Sequence, residues 1–282
     1  MPLPSTHPYA YSSPCQSYSF KQNKGIVRNG LQYYLDAANP DSYPRKGNTW
    51  YDISGLNNYS VSLFNSWGYG AGLAWTDYGG GSIAFNSAWG QYGYSAYNLN
   101  SPVWTVEAVG YYVTGSAPQQ YSYGTNPYNY PEWAVDPAII TDVLNGGNVQ
   151  YSLGCPTGTD SPPNIQTGFN NGSWYTTPDS SWGLSYVPTH TVGTYDGSTL
   201  KLYADGVLKK SQSITATPSA GGNGFFLMRR AGSVSTGETW KYMFGFLSVV
   251  RLYNRALSAD ELLQNYNAEY SRLHQWTSPD SI

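Results

Sequence analysis

Residues able to do chemistry at neutral pH are scarce in this chain. Its 282 residues include 5 Glu and 3 His. Hydrolysis of a glycoside calls for two carboxylates, and strand alternation could supply them at i and i+2 on one face. Glu107 lies in the strand-like run VWTVEAVGYYV, residues 103–113, but Ala108 and Val109 follow it and no second acid joins it. Glu132 and Asp136 would share a face if extended. Four residues of rise would put them ~13 Å apart, too far for a retaining or an inverting pair. Pro131 and Pro137 beside them also argue against a strand. The expectation is a non-enzymatic protein with no catalytic residue. A glycoside hydrolase stays as the alternative, through carboxylates brought together from different strands.

Nucleophilic chemistry has as little support. His7 lies near the N-terminus, His190 at a strand start and His274 at a helix end, where the helix dipole explains it. As a base His190 would need an oriented partner that spacing cannot show. Gly79-Gly80-Gly81-Ser82 lacks the Lys and helix of a phosphate loop and reads as a turn. Asp36, Asp41, Asp52 and Asp77 fall in expected loops and could offer oxygens to calcium. Asp36 and Asp52 are equally explained as turn-bonding residues. No metal or other cofactor is expected, with calcium the one left open.

Aromatic residues give the more specific signal. Pyranose rings stack on aromatic faces while amide, carboxylate and backbone groups fix their hydroxyls. Tyr128, Tyr130, Trp133, Trp174, Tyr175 and Trp182 are the candidates for a glycan-binding surface. Subunit interfaces are also rich in Tyr and Trp, so the same six residues could serve an interface or simply hold long loops down.

Composition sets the class. Charged residues make up 11%, and 14 Lys and Arg are scattered among 17 Asp and Glu, so no basic stripe suits nucleic acid. The apolar runs are too short to span a bilayer, and the first residues, MPLPSTHPYAYSSPC, show no secretory signal. The 28 Tyr, 10 Trp and 31 Gly favour strands and long ordered loops over helices. Cys15 and Cys155 could pair if their backbones lie close, though two thiols in such a chain are more often free.

The elements that must position these residues follow from periodicity. Residues 1–24 read as an extended arm with four prolines, either a loose tail or a segment ordered against a neighbouring subunit. Residues 25–274 form the domain and 275–282 a tail. Leu31, Tyr33 and Leu35 alternate in a half-buried strand ending at Asp36, and a short strand lies near Tyr59 to Phe64. In residues 103–113, Val103, Thr105, Glu107 and Val109 share one face and Trp104, Val106 and Ala108 the other. Residues 115–188 are the least patterned, with long variable loops around strands at 149–153 and near Trp174. Residues 191–209 predict a tight meander with Asp196-Gly197 and Asp205-Gly206 as type I′ turns. Residues 224–229 predict another strand.

The clearest stretch is 244–273. A strand over 244–253 would place Phe244, Phe246, Val250 and Leu252 on one face and Leu247, Val249 and Tyr253 on the other, so it is central. Ser258 and Glu261 form a capping box, with Leu257 and Leu262 at staple spacing. Leu262, Tyr266, Tyr270 and Leu273 recur as the apolar face of the helix that follows.

Three pieces in this order, GLQYYLDA (30–37) with WYDISG (50–55), HTVGTYDGSTLKLYADGVLK (190–209) and VRLYNRALSADELLQNYNA (250–268), resemble the LamG-like jelly-roll family of the concanavalin A-like lectin and glucanase fold. The resemblance covers roughly residues 25–273, poorly between 115 and 188. It implies an all-β, two-sheet antiparallel jelly-roll sandwich with one short C-terminal helix. Its glycosidases carry paired acids on one strand, absent here, and many of its lectins bind calcium at a rim. The DAANPDSYP and WYDISG wording is most similar to versions carried by tailed phages and large aquatic viruses, where such domains serve as virion parts. That resemblance implies a virion structural protein, as capsid decoration or tail or fibre component. Its partners would be other virion proteins, met through the arm, and possible cell-surface glycans, and it would be oligomeric in the particle.

Overall fold

The computed structural model describes residues 25–66, 73–85, 90–113, 138–142, 149–154, 165–178, 188–219, 224–229 and 242–274. The arm, the tail, both cysteines, His7, Glu132 and Asp136 lie outside them. The first strands are β1 (Leu31–Asp36), β2 (Thr49–Trp50), β3 (Val61–Asn65), β4 (Ala74–Thr76), β5 (Ser82–Phe85), β6 (Gln91–Ser95) and β7 (Trp104–Val113). Then come β8 (Ala138–Asp142), β9 (Val149–Gly154), β10 (Gln166–Asn170) and β11 (Trp174–Thr176). The last are β12 (Thr189–Tyr195), β13 (Thr199–Ala204), β14 (Val207–Ser213), β15 (Phe225–Leu227), β16 (Phe244–Tyr253) and the helix α1 (Ala259–His274).

Two antiparallel sheets result. The first runs β14-β13-β12-β7-β16-β5-β4, with β1 also beside β16. The second runs β11-β10-β9-β8-β15-β6-β3-β2. This is the jelly-roll sandwich that the sequence predicts. Trp104, Val106 and Ala108 of β7 and Leu247, Val250 and Leu252 of β16 meet Tyr151, Leu153, Phe169, Phe225 and Leu227 of the facing sheet in one core. Each such side chain contributes roughly 1.5–3 kcal/mol by leaving water. The sheets approach closely at Gly193, where a Cβ would stand 2.0 Å from Thr167 Oγ1 of the other sheet.

β16 departs from strict alternation. Leu247 pairs with Gly110 and Val249 with Val109, so Ser248 is an extra residue, and the register slips there. Parity flips at such a bulge. Phe244 and Phe246 therefore share the outer face with Val249 and Tyr253, while Leu247, Val250 and Leu252 face the core. The expected grouping of Phe244 and Phe246 with Val250 and Leu252 does not hold. Ser248 is held by its hydroxyl, 2.6 Å from that of Ser82, and by its carbonyl, which accepts from the Ala37 amide at 2.8 Å.

The capping box forms as expected. Ser258 Oγ accepts from the Glu261 amide and Glu261 Oε2 accepts from the Ser258 amide at 2.9 Å. Leu257 and Leu262 are buried in one cluster under the helix. The face α1 turns to the sheet is the predicted one only in part. Leu262, Asn265, Glu269 and Leu273 are buried, Tyr266 is half-buried, and Tyr270 is exposed. Asp205 and Gly206 both have positive φ, as a type I′ turn requires. The other Asp-Gly differs. Asp196 Oδ1 accepts from the Ser198 and Thr199 amides, an Asx-type turn in a three-residue loop. Within 115–188 the strands at 149 and 174 are present, joined by β8 and β10. Ile139 and Ile140 are buried side by side, so β8 has no alternation to betray it.

Candidate functional site

The two outer faces of the sandwich carry very different chemistry. On the first sheet, alternation along β7 turns Thr105, Glu107 and Val109 toward α1. Glu107 Oε1 accepts from Arg251 Nη1 at 3.0 Å and meets His190 Nε2, and its Oε2 accepts from Asn265 Nδ2 at 3.0 Å. Arg251 Nη2 donates to Glu269, and Arg272 grips both oxygens of Asp36 at 3.0 Å. Asn265 also accepts the Val27 amide at 2.8 Å and donates to Tyr253 Oη at 3.0 Å. The helix is thus tied to β1, β7 and β16 by polar contacts that an apolar-periodicity reading passes over.

Burial alone would push the Glu107 carboxyl up. Arg251, then His190 and Asn265, outweigh it and hold it below the usual range. Burial would likewise lower Arg251, but Glu107 and Glu269 hold its guanidinium well above its ordinary value. A His against a Glu has the makings of a base and its orienting acid. Here the side chains of Glu107, His190 and Arg251 have no exposed surface, and Tyr266 stacks over the imidazole at 6.0 Å. No substrate can reach this pair. Glu107 and Glu269 flank the same guanidinium, so both are committed to ion pairing rather than to a free acid and base.

The candidate calcium aspartates are dispersed. Asp36 is paired with Arg272, and Asp52 accepts from the amides of Tyr34 at 2.8 Å and Ser54 at 3.0 Å. Asp41 and Asp77 are exposed in separate loops. Among the described residues no three His, Cys, Asp or Glu side chains gather as metal ligands would.

The second sheet's outer face is aromatic. Leu63, Gly93, Leu227 and Ile140 line up across β3, β6, β15 and β8 on the inner side. Their neighbours Phe64, Tyr92, Tyr94 and Phe226 therefore point outward. Phe64 and Tyr92 are stacked at 5.0 Å with planes 14° apart, and Phe226 meets Tyr92 edge-on at 5.8 Å and Tyr94 at 5.5 Å. The Arg229 guanidinium lies 4.2 Å from the Phe226 ring centre and 4.7 Å from that of Tyr92. Such contacts rigidify the group by cation–π attraction. Phe64 is exposed and Tyr92, Tyr94 and Phe226 are half-open to solvent.

Of the predicted site residues, Tyr128, Tyr130, Trp133 and Trp182 lie outside the described residues. Trp174 and Tyr175 alternate on β11. Tyr175 turns inward and stacks on Phe169 at 5.2 Å, whereas Trp174 is on the outer side and exposed. Six strand steps separate β11 from β3, roughly 29 Å at the usual spacing. Trp174 and Phe64 could thus contact only one extended ligand in common. The aromatic group on β3, β6 and β15 was missed because Gln91-Tyr92-Gly93-Tyr94-Ser95 reads as a Gly-Tyr loop. Its signal is the i, i+2 pair of tyrosines flanking a glycine.

An antiparallel two-sheet sandwich, with a helix packed on one outer face and an aromatic group on the other, is a jelly roll. Residues 125–263 match the Laminin_G_3 family, described as the concanavalin A-like lectin/glucanases superfamily, which supports a domain of that kind here. The match includes the stretch where the motif resemblance is poor. A search of curated proteins gives no significant match. Among solved structures, domain 4 of AbnA, a GH43 extracellular arabinanase from Geobacillus stearothermophilus, in complex with arabinotriose, is similar at TM-score 0.60 and 16% identity, covering 84% of this chain and 98% of that one. The binding domain of Paraclostridial Mosquitocidal Protein 1 is similar at TM-score 0.58 and 15% identity, over 86% of this chain and 53% of that one. Trypanosoma rangeli sialidase in complex with 2,3-difluorosialic acid has TM-score 0.54 and 14% identity, and the match covers 88% of this chain but a third of the enzyme, 34%. At these identities the likeness is one of fold.

Proposed function

We propose that this chain is a non-enzymatic glycan-binding protein, displayed as a structural component of a phage virion in its capsid decoration or its tail or fibre. The observation that carries the binding reading is the stacked pair of exposed Phe64 and half-buried Tyr92, extended by Phe226 and Tyr94 on one sheet face. Flat aromatic surface of this kind suits the apolar face of a pyranose or furanose ring. Trp174 on the same side of the sheet widens the surface for an extended glycan. The arabinotriose complex of the similarly folded arabinanase domain is in keeping with this. The non-enzymatic part rests on Glu107, whose carboxylate is sealed beneath α1 and neutralised by Arg251. The virion part rests on the phage-like wording of residues 36–44 and 50–55, and neither part requires a cofactor.

A glycan array on the purified protein tests the first part. Selective binding of one glycan class is expected, and binding to none overturns it. A reducing-sugar assay on the bound class should stay at background; turnover would establish the glycoside hydrolase instead. Proteomics of purified phage particles should find this chain, and its absence from virions would remove the structural role.

A further inference from the structure

Exposed apolar surface is concentrated away from the aromatic sheet face. Nine large hydrophobic residues are exposed among the described residues, and four of them, Val207, Leu208, Leu263 and Tyr270, belong to β14 and α1. Their exposures are 56%, 49%, 44% and 50%. They are not scattered. The β13–β14 turn lies against the helix, since a Cβ on Gly206 would stand 3.1 Å from Leu263 and 3.6 Å from Tyr266. Tyr266 meets Tyr270 edge-on at 6.0 Å, and Tyr270 stacks on His274 at 3.9 Å. A helix end and the edge strand of the first sheet thus share one apolar patch. Contiguous patches of this type mark interaction sites.

The sequence supplies an occupant of matching chemistry. Residues 1–20 contain no Asp, Glu, Lys or Arg and carry Tyr9, Tyr11, Tyr18 and Phe20 among four prolines. Proline-rich segments favour an extended form that docks on aromatic-lined surfaces with little entropy to lose. The segment joins the body at α1, where Gln264 Nε2 donates to the Gly25 carbonyl at 2.9 Å and Asn265 holds the Val27 amide. Gln264 and Leu263 lie on different sides of the helix, 100° apart, so the point where the segment joins the body is on another side of α1 from the patch. At full extension 24 residues span up to about 80 Å. A body of this size has a radius of gyration of about 18 Å. The segment can outreach its own domain.

We infer that the patch formed by Leu263, Tyr266, Tyr270, Val207 and Leu208 is the docking surface for residues 1–24 of a neighbouring copy of this chain. The contact is heterologous, with segment on one side and patch on the other, so it builds rings or open chains rather than a self-complementary pair.

Sedimentation of the full chain across a concentration series tests this. Self-association is expected, and a chain that stays monomeric overturns the inference. A chain lacking residues 1–24 and a Leu263→Asp/Tyr270→Asp double variant should each be monomeric, with association weakened at least tenfold. Both substituted residues are about half exposed, so circular dichroism and melting should match the parent; Val207→Asp/Leu208→Asp is the second route to the same readout. The deciding step mixes the two defective chains. The truncated chain keeps the patch and the double variant keeps the segment, so together they should form a one-to-one pair and no larger species. Failure of the mixture to pair, or patch variants that still assemble, would show that the segment docks elsewhere.

Discussion

At Glu107, burial and charge oppose each other, and the charges win. A carboxylate with no exposed surface is stable there because Arg251, His190 and Asn265 all face it. Glu107→Gln keeps the shape but removes the charge, leaving Arg251 to Glu269 alone. Breaking one side of a buried pair costs roughly 3–5 kcal/mol. In a domain of this size that lowers the melting temperature by on the order of 10 °C. The pH dependence follows from the direction of the shift. A carboxyl whose folded value lies below its unfolded one, about 4.3, contributes fully above that value and loses the contribution as pH falls through the folded value. Thermal melts from pH 7 down to pH 2 should therefore fall more steeply for the parent chain than for Glu107→Gln, and the two curves should converge in acid. Parallel curves would mean that Glu107 is not charged in the fold. Glu261 adds to the same acid limb, since its hydrogen bond from Arg255 holds it down at about 2.

Among the elements, β16 and α1 show where sequence periodicity succeeds and where it stops. The existence of both, the capping box and the Leu257–Leu262 staple are legible, because each rests on contacts between residues near in sequence. The bulge at Ser248 is not. Nothing in FGFLSVVRLY marks the residue that is skipped, because both faces are apolar and either parity looks acceptable. The polar half of the buried face of α1 was missed for a related reason. Asn265 and Glu269 count against burial until their partners on β7 and β16 are known, and those partners are more than 100 residues away or on another element. The same limit hid the aromatic site, whose residues come from β3, β6 and β15 and meet only across the sheet. Deleting Ser248 is the sharpest test at this scale. Its removal leaves Leu247 inward and Val249 outward in strict alternation, so Arg251 and Leu252 keep their faces, and a soluble, cooperatively melting protein is expected, destabilised only by the lost contacts with Ser82 and the Ala37 amide. Ser248→Ala keeps the count and loses only the hydroxyl contact with Ser82, which costs about 1 kcal/mol. If the deletion failed to fold, Ser248 would be doing more than supplying the extra residue at the bulge.

In the whole molecule, the sandwich divides its labour between its two outer faces. The first sheet spends its central acid on anchoring the helix, while the second carries rings that are exposed at Phe64 and half-buried at Tyr92, Tyr94 and Phe226. Stability and binding should then separate cleanly. Phe64 lies at the surface, 38% exposed, and stacks on Tyr92, so Phe64→Ala opens no core cavity and should shift the melting temperature by no more than a few degrees. It also removes half of the stacked pair. A lost ring contact of about 1.4 kcal/mol corresponds to a tenfold weaker Kd for whichever glycan the array selects. Glu107→Gln should do the reverse, melting well below the parent while binding the same glycan with unchanged Kd at a temperature where it stays folded. Calorimetry and titration on the two variants, side by side, decide the matter. If Phe64→Ala leaves affinity intact, the binding surface is not this face. If Glu107→Gln weakens binding without unfolding, the acid beneath the helix reaches the ligand site after all, and the division between the two faces fails.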